Sequence, residues 1–378
     1  MIARPDLIRR VRRALRDNPV AVLLGPRQCG KTTLARMVAE RRRCELFDLE
    51  DPRDLARLEA PMLALEPLRG LVIIDEVQRK PELFELLRVL ADRPRGGARF
   101  LLLGSASPHV VRGVSESLAG RAGVVEMGGF DLREIGAENY RSLWLRGGLP
   151  RSYLARSGPA SRRWRADFVR TFLERDIPQL GITIPAQTLR RFWTMVAHYH
   201  GQVWNAAELA RSLGRSEKTA RRYLDLLSGA FVVRQVQPWF ENVGKRQVKS
   251  PKVYVRDTGL LHALLEIDTQ RDLLRHPKLG ASWEGFAMEQ VLAATGSESF
   301  YWWATHSGAE IDLLLLKGAK RIGVELKCAD APRMTKSIRT AMDVLKLDHV
   351  HVVYPGPKSY PIEKKITATA IVDIGSIR

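Results

Sequence analysis

Cysteine is scarce in this chain: Cys29, Cys44 and Cys328 stand alone among 378 residues, and no two form a C-x-x-C pair. Neither a disulfide framework nor a structural zinc site is expected, and a reducing compartment fits. Long apolar runs are missing as well. Stretches such as Val20–Leu24, Leu71–Ile74 and Phe100–Leu103 fall far short of the roughly 20 residues that a bilayer-spanning helix needs. The basic group Arg9, Arg10, Arg12 and Arg13 is paired with an apolar run too short for a signal peptide. The expectation is a cytoplasmic protein without membrane association. A hydrophobic share of 45% beside 27% charged residues excludes a disordered or collagen-like chain, and the length implies two to four domains at about 100–200 residues each.

Acidic residues are in short supply. Against 61 Lys+Arg stand 42 Asp+Glu, and the deficit is uneven: residues 151–270 hold 20 basic against 10 acidic side chains, compared with 26 against 20 in residues 1–150 and 15 against 12 in residues 271–378. Arginine outnumbers lysine by 46 to 15, as a GC-rich genome would produce, but base composition does not explain the clustering. A basic excess concentrated in one domain-sized stretch is the footprint of a polyanion binder, because cationic side chains that neutralise phosphates release condensed counterions.

What is present is most specific near the front. Gly25-Pro26-Arg27-Gln28-Cys29-Gly30-Lys31-Thr32 is a complete G-x-x-x-x-G-K-[ST], preceded by an apolar strand at Val20–Leu24 and followed by a helical stretch from Thr33 to Arg43. Its glycines let backbone N–H groups wrap phosphates, with the helix N-terminus adding a favourable dipole. Lys31 is expected at the β- and γ-phosphates of ATP, and Thr32 on Mg²⁺. Further on, Leu71-Val72-Ile73-Ile74-Asp75-Glu76 reads as a buried parallel strand that brings two carboxylates to the carboxyl edge of its sheet. There Asp75 is expected in the Mg²⁺ shell and Glu76 on the attacking water. A third strand, Arg99–Leu103, ends at Ser105, a candidate sensor of the γ-phosphate or an ordinary turn residue.

The segments GPRQCGKTT, IDEVQRKPELF, LLLGSAS, SLAGRAGVVEM and GGLP, followed by FLERDIP and VELK, resemble the AAA+ ATP-binding proteins of bacteria and archaea that carry a C-terminal domain of unknown function. The resemblance covers nearly the whole chain. It implies that Arg121 acts in trans on a neighbouring subunit's nucleotide within a homo-oligomer, a ring or hexamer, with Arg175 as a rival. Ser105 stands where many AAA+ proteins place Asn.

From Arg151 to Trp193 the spacing of Trp164, Phe168, Phe172 and Leu173 predicts helices, with the aromatic residues as packing anchors. Asn205 then precedes a short helix, Ala206–Leu213, and Ser216 offers an N-cap for a second, Glu217–Leu227. Ala220, Tyr223, Leu224 and Leu227 fall on the inner face of the second helix, while Lys218, Thr219, Arg221 and Arg222 remain outside, as in a recognition helix. Two strand-like runs, Phe231–Val236 and Lys252–Val255, flank a loop with Asn242, Gly244, Lys245, Arg246 and Lys249. Together these segments read as a winged helix that binds DNA, or one used only for protein contacts.

The last third predicts a helix over Ser282–Ala294 and strands at Phe300–Ala304, Glu310–Leu316 and Arg321–Cys328, the latter two joined through Lys317-Gly318-Ala319-Lys320. The hairpin brings Asp312 beside Glu325 and Lys327. Asp312 and Glu325, with Glu284 from the helix, form a candidate oxygen shell for Mg²⁺ or Mn²⁺, and Lys327 a group to position the attacking water. The pattern resembles the PD-(D/E)XK nucleases, with Ile311 where the named motif has Pro. Its alternative is a plain cross-strand ion-pair cluster.

The expected architecture is α/β multidomain: an AAA+ P-loop ATPase over residues 1–150, a helical lid or connector over 151–195, a winged helix over 196–265 and a restriction-endonuclease-like domain over 275–378. The expected activity is ATP hydrolysis coupled to DNA, with cleavage by the last domain. The rivals are a nucleotide-switched DNA- or protein-binding regulator with an inactive nuclease fold, and a protein-remodelling ATPase.

Overall fold

The computed structural model describes residues 2–93, 97–104, 108–179, 184–240 and 248–377, residues 108–112 by their backbone only. Ser105, Asn242, Gly244, Lys245 and Arg246 lie outside the described residues. The chain divides into two compact units, residues 1–129 with 229–231, and residues 130–228 with 232–378.

The first unit is a parallel five-stranded sheet. Its strands are β1 (Val20–Leu24), β2 (Cys44–Asp48), β3 (Leu71–Asp75), β4 (Arg99–Gly104) and β5 (Ala122–Glu126), in the order β2-β3-β4-β1-β5. β1 and β3 are buried along their full length, as is β4 beyond Arg99. That is why their sequences are continuously apolar rather than alternating. β2 and β5 lie at the edges and admit Glu45, Asp48 and Glu126. Helix α1 (Pro5–Asp17) begins with Pro at its first turn and buries Leu7, Val11 and Leu15, one residue per turn. Each such side chain contributes about 1.5–3 kcal/mol of burial. The arginines near the N-terminus thus belong to an amphipathic helix, with Arg9, Arg10 and Arg13 exposed.

The second unit begins with helices. Gly158–Thr171 runs into a π-helical stretch, Phe172–Asp176, and Ala186–His198 follows. Phe168 stacks on Phe172, which packs against the fully buried Trp193, so these aromatics are packing anchors. The helices Ala206–Leu213 and Glu217–Gly229 lie between β6 (Gln202–Val203) and β7 (Val233–Val236), which with β8 (Lys252–Val255) form an antiparallel sheet in the order β6-β8-β7. Asn205 caps the first of these helices by accepting from the Glu208 N–H, and the Ser216 hydroxyl accepts from the Thr219 N–H at the start of the second.

A mixed six-stranded sheet completes this unit, ordered β13-β14-β12-β11-β10-β9. It comprises β9 (Phe300–Ala304), β10 (Glu310–Lys317), β11 (Lys320–Leu326), β12 (His349–Tyr354), β13 (Tyr360–Glu363) and β14 (Ile366–Ala370). β10 and β11 are antiparallel neighbours paired from Leu313↔Val324 to Lys317↔Lys320, and Gly318 takes a positive φ of 59° in the two-residue turn. Ile311 of β10 shares a core cluster with Ile338, Ala341 and Leu345 of the Lys336–Leu345 helix. Alternation then turns its neighbour Asp312 to the other face. Among the described residues no helix is long and apolar enough to cross a membrane.

Candidate functional site

In the first unit, the loop between β1 and α2 (Lys31–Ala39) lies at the carboxyl ends of the strands. A Cβ at Gly25 would meet the Met127 carbonyl oxygen at 2.2 Å, so only glycine fits there. Gln28 and Gly30 both take positive φ, 59° and 96°, which turns successive backbone N–H groups toward one side as an anion-binding concavity. Lys31 is buried, 6% exposed, and its ammonium donates to the carbonyls of Gly25 and Pro26 at 3.1 and 3.0 Å. Its charge therefore lies over the loop. Cys29 is buried within the loop and Thr33 exposed on α2.

The Thr32 hydroxyl donates to Asp75 Oδ2 at 2.6 Å. Asp75, at the end of β3, also accepts from the Glu76 N–H at 2.9 Å. Burial is the largest influence on Asp75 and raises its pKa, seconded by the charge of Glu76, while Thr32 and Lys31 oppose the shift. A hydroxyl and a carboxylate in direct contact beside an anion cradle suit a hard divalent ion accompanied by phosphates. The donor set thus fits ATP and Mg²⁺.

Glu76 takes φ 53°, a left-handed conformation that costs an ordinary residue about 1–2 kcal/mol. Its carboxylate accepts from Gln78 Nε2 and lies 3.9 Å from Arg27 Nη2, which is equally far from Glu50. Gln78 and Arg27 therefore orient this carboxylate, a role not legible from the motif. Arg121 is bound within its own unit: Nε and Nη2 donate to the two oxygens of Asp92 at 2.6 and 2.8 Å. Arg175 is exposed on the π-helical stretch of the second unit.

On the Glu217–Gly229 helix, Ala220, Tyr223, Leu224 and Leu227 are buried, and Lys218, Arg221 and Arg222 are exposed. The Arg221 guanidinium lies 5.9 Å from the Trp204 ring centre. Lys249 is exposed before β8.

The fold brings Glu284, Asp312, Glu325 and Lys327 into one neighbourhood. The Leu326 N–H donates to Asp312 Oδ2 at 2.9 Å, and Lys327 Nζ lies 2.7 Å from Glu325 Oε1. Glu284, on the Leu279–Thr295 helix, accepts the Tyr254 hydroxyl at 2.6 Å. The structure adds a lysine to the shell expected from the sequence. Lys252 of β8 inserts its ammonium among the carboxylates, 3.1 Å from Glu284 Oε1 and 3.3 Å from Asp312 Oδ1, with Glu310 also paired to it. Among the described residues no group of three or more His, Cys, Asp or Glu side chains is arranged to hold a metal ion. Charge compensation is local here: one oxygen each of Glu284 and Asp312 already shares the Lys252 ammonium. Burial works against the Lys252 charge, yet Tyr254, Glu284, Asp312 and Glu310 hold its pKa well above the ordinary lysine value. Burial first and the Asp312 charge second raise Glu284 and Glu325. Lys252 and Tyr254 share a strand face two residues apart. Their one sequence signal was a lysine leading an otherwise apolar strand.

A model described as an AAA domain matches residues 17–136, and two domains of unknown function, DUF8612 and DUF4143, match residues 137–271 and 279–374. The Walker-type ATPase paby2304 of Pyrococcus abyssi has a similar fold, with a TM-score of 0.50 at 18% identity over 70% of this chain and 96% of that one. With its parallel sheet and phosphate loop, the first unit is a P-loop ATPase domain of the AAA+ type. Two mycobacterial proteins, "Uncharacterized protein Rv2008c" of Mycobacterium tuberculosis and "Uncharacterized protein Mb2031c" of Mycobacterium bovis, are each 52% identical over 380 residues, spanning all of this chain and 86% of their own length. The chain belongs to the family of these two proteins.

Proposed function

We propose that the protein hydrolyses ATP and couples the nucleotide cycle to DNA held by a winged helix. The organisation in this reading is an ATPase domain over residues 1–150, a helical connector over 151–195, a winged helix over 196–265 and a nuclease-like fold over 275–378. Lys31 binds the β- and γ-phosphates, Thr32 and Asp75 hold Mg²⁺, and Glu76 orients or deprotonates the attacking water. When bound, Mg²⁺ supplies charge neutralisation at the transferring phosphoryl group. Arg121 or Arg175 acts in trans within a cytoplasmic homo-oligomer. Because Asp92 chelates Arg121, that arginine must first exchange its partner.

The observation that carries the DNA reading is the exposed Lys218, Arg221 and Arg222 on a helix whose opposite face is buried, within the most basic stretch of the chain. The test is affinity for duplex DNA measured against salt, together with ATP turnover with and without DNA. A log–log slope of about −0.9 per neutralised phosphate is expected, and replacing Arg221 and Arg222 by Ala should flatten it by roughly one unit for each phosphate left unneutralised. An unchanged slope would remove this helix from the interface. ATP turnover indifferent to DNA would favour a protein-remodelling ATPase.

A further inference from the structure

We propose that Lys252 is a built-in cation standing where the nuclease-like fold of the C-terminal domain would hold a divalent metal, so that this domain is a metal-free binding platform. Two oxygens expected in a metal shell, Glu284 Oε1 and Asp312 Oδ1, converge on one ammonium at 3.1 and 3.3 Å. The Lys252 side chain is 5% exposed, its ammonium lies 5.4 Å from the Trp302 ring centre, and Glu310 pairs with it as well. A surface lysine that swings between partners has none of this enclosure. The backbone holds the lysine in place, since β8 pairs with β7 through Lys252↔Val236 and with β6 through Lys252↔Val203.

On the second side of the cluster, two carboxylate oxygens already have donors. Asp312 Oδ2 is taken by the Leu326 N–H, and Glu325 Oε1 by Lys327. Glu325 Oε2 is buried and finds no hydrogen-bond donor among the described residues. A divalent ion drawing on Asp312 and Glu284 would have to approach oxygens that already face an ammonium, and like charges at that separation repel strongly in a buried site. Apart from Glu325 Oε2, the carboxylates are partnered by lysines from two separate strand regions, and a lysine in place of a metal removes the Lewis acid that hydrolytic cleavage by this fold requires.

The test is Mn²⁺ binding to the nucleotide-free full chain, followed by electron paramagnetic resonance, and the readout does not depend on DNA affinity or ATP turnover. The wild type and Asp312→Asn are expected to bind the same number of ions, because any weak site at the phosphate loop is common to both. Lys252→Met is expected to gain one further ion that is lost again in Lys252→Met/Asp312→Asn, and to melt at a higher temperature with Mn²⁺ than without. Lys252→Arg, which keeps the charge, should behave as the wild type. A wild-type Mn²⁺ site that disappears in Asp312→Asn would overturn the proposal, as would a folded Lys252→Met that gains no ion. Should Lys252→Met fail to fold, the wild type and Asp312→Asn decide alone.

Discussion

Replacing Glu76 by Gln isolates the chemistry proposed for the first unit. The substitution keeps side-chain length and the left-handed backbone at φ 53°, and its amide oxygen still accepts from Gln78. What disappears is one charge. The contact with Arg27 is long, 3.9 Å, and Arg27 keeps Glu50 as a second partner at the same distance, so the ATPase unit should stay folded. Nucleotide affinity should hold or rise slightly, because Glu76 is one of the charges that push the Asp75 pKa upward, and its neutralisation leaves Asp75 more readily ionised. Turnover should fall by about 10²–10⁴, the range for losing a positioned general base, or about 3–5 kcal/mol of barrier. Lys31→Ala should do the reverse, weakening binding itself, since its ammonium lies over the loop. Titration with a fluorescent nucleotide and phosphate release, measured on the same preparations, separates the two effects. If Glu76→Gln turns over ATP at the parent rate, or loses as much affinity as Lys31→Ala, the roles assigned here are wrong. Glu76→Gly supplies a control, expected to be equally inactive but no less stable, since it relieves a left-handed strain of about 1 kcal/mol.

Two further outcomes follow from charges elsewhere. Glu289 accepts from Arg234 at 3.0 Å and lies 3.4 Å from Arg256; burial would raise its pKa, but the two arginines overcome this and hold it down at about 2. A depressed carboxyl stabilises the fold above its unfolded pKa and loses that contribution as pH falls, so roughly 2–3 kcal/mol should disappear between about pH 4.5 and 2. Glu289→Gln should flatten the dependence of urea midpoint on pH in that window, and an unaltered profile would show that the pairing contributes nothing. For the trans arginine, mixing Arg121→Ala with Lys31→Ala protein should restore turnover if Arg121 acts across subunits, because a mixed interface joins an intact loop to an intact arginine. The same experiment with Arg175→Ala tests its rival, and no recovery in either mixture would point to another residue.

Much of the phosphate-binding loop could be read directly because its chemistry is local. Gly25, Gly30, Lys31 and Thr32 lie within one turn and one helix start, where glycine geometry and helix polarity act over a few residues. β1, β3 and β4 were legible as continuous apolar runs, since a strand covered on both faces has no polar side to show. β2 and β5 were not, because edge strands carry Glu45, Asp48 and Glu126 and so resemble loops. The Asp312, Glu325 and Lys327 set was legible as a hairpin pattern, and its proximity to Glu284 followed from helix and strand order. Its charge state was not. Lys252 reaches Glu284 and Asp312 across 32 and 60 positions of sequence, and Asp92 reaches Arg121 across 29. Local pattern settles the fully buried strands, the phosphate loop and where its glycines must stand. Which buried charge meets which is decided by packing, because the cost of an unpaired charge in a low-dielectric interior depends on every element around it and not on its neighbours in the chain.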